Sequence, residues 1–258
     1  MVVVCLRGVV NFNVQSFLDD FHRAAMAMGF QHEVMARIGG YEIPAYSKKK
    51  EEGCARIYLS SGCHGDEPAG PYSLLEMMNE GFFDDGIEWL ICPLLNPTGM
   101  MAGTRENAQG VDLNRDYFKK VSVEVSGHTE WLEAQRVPDM FLSLHEDWES
   151  TGFYLYEIQK NVCQSMAQKI LGAVSNTMPI EPNDTIDGHE VREQGWIFHQ
   201  TQADVPDQWP EAIFMAERGA TVSYTLETPS SRDLKERVRS HKLAVQCAVR
   251  ELLLTHGG

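Results

Sequence analysis

The chain has 258 residues, 43% of them hydrophobic and 23% charged, which suits one folded unit over residues 1–258, since single cores stop growing near ~250–300 residues. Its formal net charge of −15 repels phosphate backbones and argues against a nucleic-acid partner. Cys5, Cys54, Cys63, Cys92, Cys163 and Cys247 form no CxxC pair, residues 1–7 lack a signal-peptide layout, and no apolar run approaches the ~18 residues of a membrane span, so a reduced protein of the cytoplasm is expected, with no membrane partner.

Residues 15–29 have apolar positions Phe17, Phe21, Ala24, Ala25 and Met28 at helical spacing. Strands are expected at 41–47 and 55–62, either side of a turn at 48–53. The second runs into Gly62-Cys63-His64-Gly65, and a helix should follow from Pro68 to Asn79. Residues 89–95 form an apolar strand broken by Asn96-Pro97-Thr98-Gly99, and 98–126 reads as a long polar loop. Strands at 139–145 and 152–158 precede a helix at 161–175. Segment 178–208 reads as irregular, then come a helix at 209–218, a strand at 221–226 and a last helix at 233–255. Strands alternating with helices predict an α/β fold with a sheet between helices, mostly parallel in its centre. Ligands bind such sheets beyond the carboxyl ends of the strands, where His64, Asn96, His145 and Glu227 fall.

His64 and Glu67 offer an imidazole and a carboxylate three residues apart, just past a strand, with Gly62 and Gly65 permitting a tight turn. His145, closing another apolar strand, is the candidate third ligand. Three protein ligands with one open position describe a catalytic zinc site, whose water has a pKa near ~7. Glu227 is placed to accept that water's proton. The loop Thr104-Arg105-Glu106-Asn107…Gly110-Val111-Asp112-Leu113-Asn114-Arg115 carries two arginines, the residue suited to bidentate carboxylate binding. Asp112 is a candidate partner for a ligating histidine. Cys63 reads as a buried thiol rather than a ligand, and His189 and His199 as exposed loop histidines.

The ordered set His64-x-x-Glu67, Asn96-Pro-x-Gly99, Thr104-Arg105, Gly110-Val-Asp-Leu-Asn114-Arg115, His145 and Glu227 resembles the zinc carboxypeptidase family, especially its short bacterial branch that includes murein peptide amidase. The resemblance implies a three-layer α/β/α sandwich around a mixed, mainly eight-stranded sheet. It implies one Zn2+ ion held by His64, Glu67 and His145, with Glu227 as general base and Arg105 as oxyanion stabiliser. Asn114 and Arg115 would grip the substrate's carboxylate.

Two departures stand out. The mobile tyrosine that many family members carry shortly before the catalytic glutamate has no counterpart between Tyr156 and Tyr224; Trp196, Phe198 or His199 could occupy that space. Glu146 and Asp147 follow His145 and could select a cationic group or hold a second metal. Arg192, Asp184, Asp187 and Asp204 are candidate selectors of the substrate side chain. The expected activity is hydrolysis of a C-terminal amide bond in a peptide. An N-acyl-amino-acid deacylase of the aspartoacylase or desuccinylase type and a non-catalytic zinc- or peptide-binding protein are the alternatives.

Overall fold

The structure is a computed structural model and describes residues 12–49, 53–83, 86–160 and 164–256. Cys5, Cys163, residues 50–52 of the 48–53 turn and the start of the 161–175 helix lie outside those residues.

In chain order the elements are α1 (Val14–Ala27), β1 (Gln31–Ile38), β2 (Tyr41–Lys48), β3 (Arg56–Ser61), α2 (Ala69–Asn79), β4 (Glu88–Cys92), α3 (Pro97–Ala102) and a 3-10 turn (Leu113–Arg115). Then follow α4 (Val123–Ala134), β5 (Met140–Asp147), β6 (Tyr154–Gln159), α5 (Ala167–Val174), β7 (Thr185–Ile186), β8 (His189–Glu190), β9 (Trp196–His199), α6 (Glu211–Arg218), β10 (Val222–Pro229) and α7 (Leu234–His256). Eight strands form one mixed sheet in the order β1-β2-β4-β3-β5-β10-β6-β9. Its centre, β4-β3-β5-β10, is parallel, while β1, β2 and β6 pair antiparallel with their inner neighbours.

Alternation along the strands explains the layers. Ile57 and Leu59, Trp89 and Ile91, and Met140, Leu142 and Leu144 enter the larger core beneath α1, α2, α5 and α7. Tyr58, Leu90, Cys92 and Phe141 point the other way, into a second core closed by α4 and α6. Both faces are therefore buried, and the result is the expected helix–sheet–helix sandwich. Among the described residues no helix is long and apolar enough to cross a membrane.

Several expectations change. The polar loop at 98–126 contains α3 and leads into α4, which Ser122 caps by accepting from the Val125 N–H. Its buried residues Val125, His128, Thr129 and Leu132 have helical spacing, masked in the sequence by Gly127 and the polar positions around it. The edge strand β1 alternates only weakly between exposed and intermediate positions, leaving little periodicity to read. The irregular segment 178–208 holds the hairpin β7–β8 and the edge strand β9. Strand β10 continues past Leu226, so Glu227 lies inside it rather than after it.

Candidate metal centre and active site

The three parallel strands β3, β5 and β10 end together at one edge of the sheet. Register pairs Ser61 with Leu144 and Glu227 with His145, so His64, His145 and Glu227 arrive from three neighbouring strands. β3 and β4 run one way from β5 while the chain's other half lies on the opposite side, which puts these residues at the sheet's switch point.

Close backbone packing holds the His64 turn. Gly62 has φ +63°, and a Cβ on Gly65 would lie 1.9 Å from the carbonyl carbon of Gly99, so only glycine fits there. The Asn96-Pro97-Thr98-Gly99 motif explains that approach. Asn96 Oδ1 caps α3 by accepting from the Gly99 N–H at 2.8 Å, while its Nδ2 donates to the carbonyls of Cys63 at 3.2 Å and Arg105 at 3.3 Å. One buried amide thus ties the His64 turn to the Arg105 loop.

His64, Glu67 and His145 are buried, and their ligand atoms lie within 4.8 Å of one another. Glu67 faces both rings, with Oε1 2.6 Å from His64 Nδ1 and Oε2 2.9 Å from His145 Nδ1. Asp112 Oδ1 is 3.2 Å from His64 Nε2, and its Oδ2 accepts from Arg105 Nε at 2.9 Å. If Asp112 takes the Nε2 proton of a neutral His64, the Nδ1 lone pair faces a carboxylate, an arrangement that requires a positive charge between them. The charges around the two rings act in the same sense. Burial disfavours a charged His64, yet Glu67 and Asp112 raise its pKa to about 9. Burial disfavours a charged Glu67 as well, but the two histidines hold its pKa far below the usual range. Burial lowers His145. Two imidazole nitrogens and a carboxylate oxygen are a zinc donor set, and the residues fit such an ion.

Around this cluster opens a cavity of about 620 Å³ that also meets Arg105, Asn114, Arg115, Tyr154 and Glu227. Glu227 Oε2 is buried without a hydrogen-bond partner. Burial, reinforced by the charges of Glu67 and Asp147 against the opposing pull of Arg105, pushes its pKa well above the usual carboxylate value. Arg105 Nη1 lies 3.3 Å from His64 Nδ1. Asn114 Oδ1 accepts from the Glu211 N–H at 3.0 Å, which fixes the amide orientation and turns its N–H donors elsewhere. Arg115 Nη1 donates to the Asn114 carbonyl at 2.9 Å. Asp112 also accepts from the Asn114 N–H at 2.9 Å, so it caps its own turn and orients His64 together.

Glu146 borders the cavity, but its carboxylate is held by the protein's own groups. It is buried, accepts from the Ala69 N–H at 2.6 Å at the start of α2, and ion-pairs with Arg237. Burial raises its pKa to about 7 against those partners. Asp147 stays at the cavity and accepts from Tyr154 Oη at 3.1 Å. Trp196 is buried and Phe198 exposed, and both are stacked by Arg192 away from the cavity, whereas His199 lines it. Tyr154, paired in register with Glu227, and Tyr156 two residues on put their rings at the cavity. Both precede the interval between Tyr156 and Tyr224, and alternation along the antiparallel neighbour of β10 is the signal that finds them. Of the candidate selectors, Asp187 and Asp204 line the cavity, while Arg192 and Asp184 do not.

Behind Asn114 lies a buried polar chain. Tyr58 Oη donates to Glu211 Oε1 at 2.6 Å and Ser60 Oγ to Oε2 at 2.7 Å; His128 joins Tyr58 at 2.6 Å and Tyr117 at 2.9 Å. Burial lowers His128 to about 3, so it is neutral, and burial lifts Glu211 from 4.5 to about 7 against its donors. A raised carboxyl pKa means that Glu211's contribution is fully present below about pH 4.5 and is lost as pH rises through about 7. That shift corresponds to on the order of 3 kcal/mol. Glu211→Gln, which cannot ionise, should therefore gain on wild type by that order between pH 5 and 8 in chemical denaturation. A constant difference across that range would contradict the assignment.

The succinylglutamate desuccinylase/aspartoacylase catalytic domain family matches residues 54–149. The chain is 25% identical to a candidate metallopeptidase of Shewanella amazonensis, with a TM-score of 0.82 and coverage of 93% of both chains. It shares its fold with a metallo-carboxypeptidase of Burkholderia cenocepacia at 14% identity and a TM-score of 0.68, covering 95% of this chain and 69% of that one. Carboxypeptidase 2 of Trichophyton tonsurans is 29% identical over 99 residues, 35% of this chain and only 18% of that relative.

Proposed function

We propose, from the premise that this chain belongs to the zinc-carboxypeptidase type of hydrolases, that it hydrolyses an amide bond next to a free carboxylate in a peptide. The observation that carries this reading is the convergence of a His–Glu–His cluster, an unpartnered carboxylate and two arginines on one cavity. Zinc held by His64, Glu67 and His145 would supply a Lewis acid and lower the pKa of water. Glu227 accepts the proton of the attacking water and returns it to the leaving nitrogen. Arg105 donates to the carbonyl oxygen as it gains negative charge. The Asn114 amide and the Arg115 guanidinium hold the substrate's carboxylate and so place the scissile bond before Glu227. A cytoplasmic setting agrees with Cys54, Cys63, Cys92 and Cys247, all free thiols.

The family match at residues 54–149 favours a second reading, deacylation of an N-acyl amino acid. Both substrates carry a free carboxylate; they differ in what lies across the bond. Assays of short peptides, their C-terminal amides and N-acyl amino acids separate the two. Peptides with free C-termini should be turned over, and both amidation and Arg115→Ala should lower kcat/KM about ten- to a hundredfold, the worth of a charge-assisted hydrogen bond. Turnover confined to acyl amino acids would select the deacylase reading. Indifference to amidation would remove the carboxylate clamp from either one.

A further inference from the structure

Segment 178–208 brings a second set of metal-binding side chains together. His189 on β8, His199 at the end of β9 and Asp204 in the following loop have ligand atoms within 4.8 Å of one another, and all three line the cavity. His199 Nε2 is 3.3 Å from both carboxylate oxygens of Asp204, and His189 Nε2 is 3.5 Å from Oδ2. The two rings stand 5.0 Å apart, with Tyr156 packed against each.

The proton count is the informative part. His199 Nδ1 lies 2.7 Å from the Gln200 carbonyl, an acceptor that claims the single N–H of a neutral imidazole. The Nε2 lone pair is then aimed at a carboxylate. Its equal separation from two oxygens is longer than the ~2.7–2.9 Å of a charge-assisted hydrogen bond. A positive charge between these atoms, whether a proton or a metal ion, satisfies them, and the nearby His189 Nε2 supplies the further donor that a metal ion would use. A backbone carbonyl on the far nitrogen is also the usual outer partner of a ligating histidine.

We propose that His189, His199 and Asp204 bind a second divalent cation of the zinc class, separate from the His64–Glu67–His145 cluster. The donor set, two imidazoles and one carboxylate, is of the same kind as the first. Three protein donors leave a position to be filled from the cavity. The cation ties the β7–β8 hairpin to the loop between β9 and α6. The hairpin's turn runs through Asp187 and Gly188 at φ +48° and +78°, and Asp187 accepts from Tyr156 Oη at 3.0 Å. Bound metal would therefore fix the outer wall of the substrate cavity. This inference does not rest on the reading of the first cluster.

Zinc binding to the full chain tests it. Chelator-stripped protein is saturated with zinc, passed through a desalting column and assayed for metal by mass spectrometry. Wild type should hold two equivalents, His64→Ala/His145→Ala one, His189→Gln/His199→Gln one, and the fourfold variant none. Zinc should raise the melting temperature of His64→Ala/His145→Ala and leave that of the fourfold variant unmoved. Asp204→Asn, a substitution at an exposed position, should weaken the second equivalent without unfolding the chain. A folded His189→Gln/His199→Gln protein, checked by circular dichroism, that holds as much zinc as wild type would overturn the proposal. If wild type holds one equivalent and this variant none, the second site stands and the first cluster's role fails.

Discussion

Glu227→Gln should lower kcat/KM by about a thousandfold or more and leave the zinc content unchanged. The size follows from general acid–base catalysis, which contributes roughly 10²–10⁴-fold. The sparing of the metal follows from geometry. Glu67 bridges the two histidines and Asp112 supports His64, whereas Glu227 makes no hydrogen bond to any of them. Its raised proton affinity is the property a base requires, and it arises from burial and from the charges of Glu67 and Asp147. Glutamine keeps the size and removes the proton acceptor. Turnover near the wild-type rate would show that another group takes the proton.

His145→Ala should have the larger structural consequence. His145 lies near the carboxyl end of β5, in register with Glu227, and its Nδ1 is 2.9 Å from Glu67 Oε2. Removing it leaves a buried carboxylate with one imidazole partner. Losing a buried hydrogen bond to a charged group costs roughly 1.5–3 kcal/mol, so the melting temperature should fall. The first zinc equivalent and hydrolysis should be lost together, while the His189–His199–Asp204 equivalent remains. Retention of both equivalents would place the first ion elsewhere.

What the sequence disclosed followed from how local each signal is. His64, His145 and Glu227 each sit at the end of an apolar run, and apolar runs are legible, so the sheet's central strands and the convergence of these residues could be anticipated. The Asn96 motif was visible, but its use was not. That Asn96 Nδ2 joins two carbonyls across the turn is a tertiary fact. The partners of Glu146 could not be read from sequence because Ala69 and Arg237 belong to helices far away in the chain. Glu211 gave no signal at all. A glutamate opening a surface-like helix reads as a first-turn acid, yet it is 1% exposed and ends a chain of donors beneath Asn114. His189 and His199 read as loop histidines because the hairpin and edge strand that bring them together are two and four residues long, below what periodicity can resolve.

Metal-dependent hydrolysis with Glu227 as base makes a direct prediction. The direct measurement is turnover of peptides with free C-termini by wild type and Glu227→Gln, each stripped with a chelator and then reloaded with zinc. Wild type should lose activity on stripping and recover it on reloading, while Glu227→Gln takes up the same zinc and stays inactive. Activity that survives complete metal removal, or a reloaded Glu227→Gln that works at the wild-type rate, would contradict it.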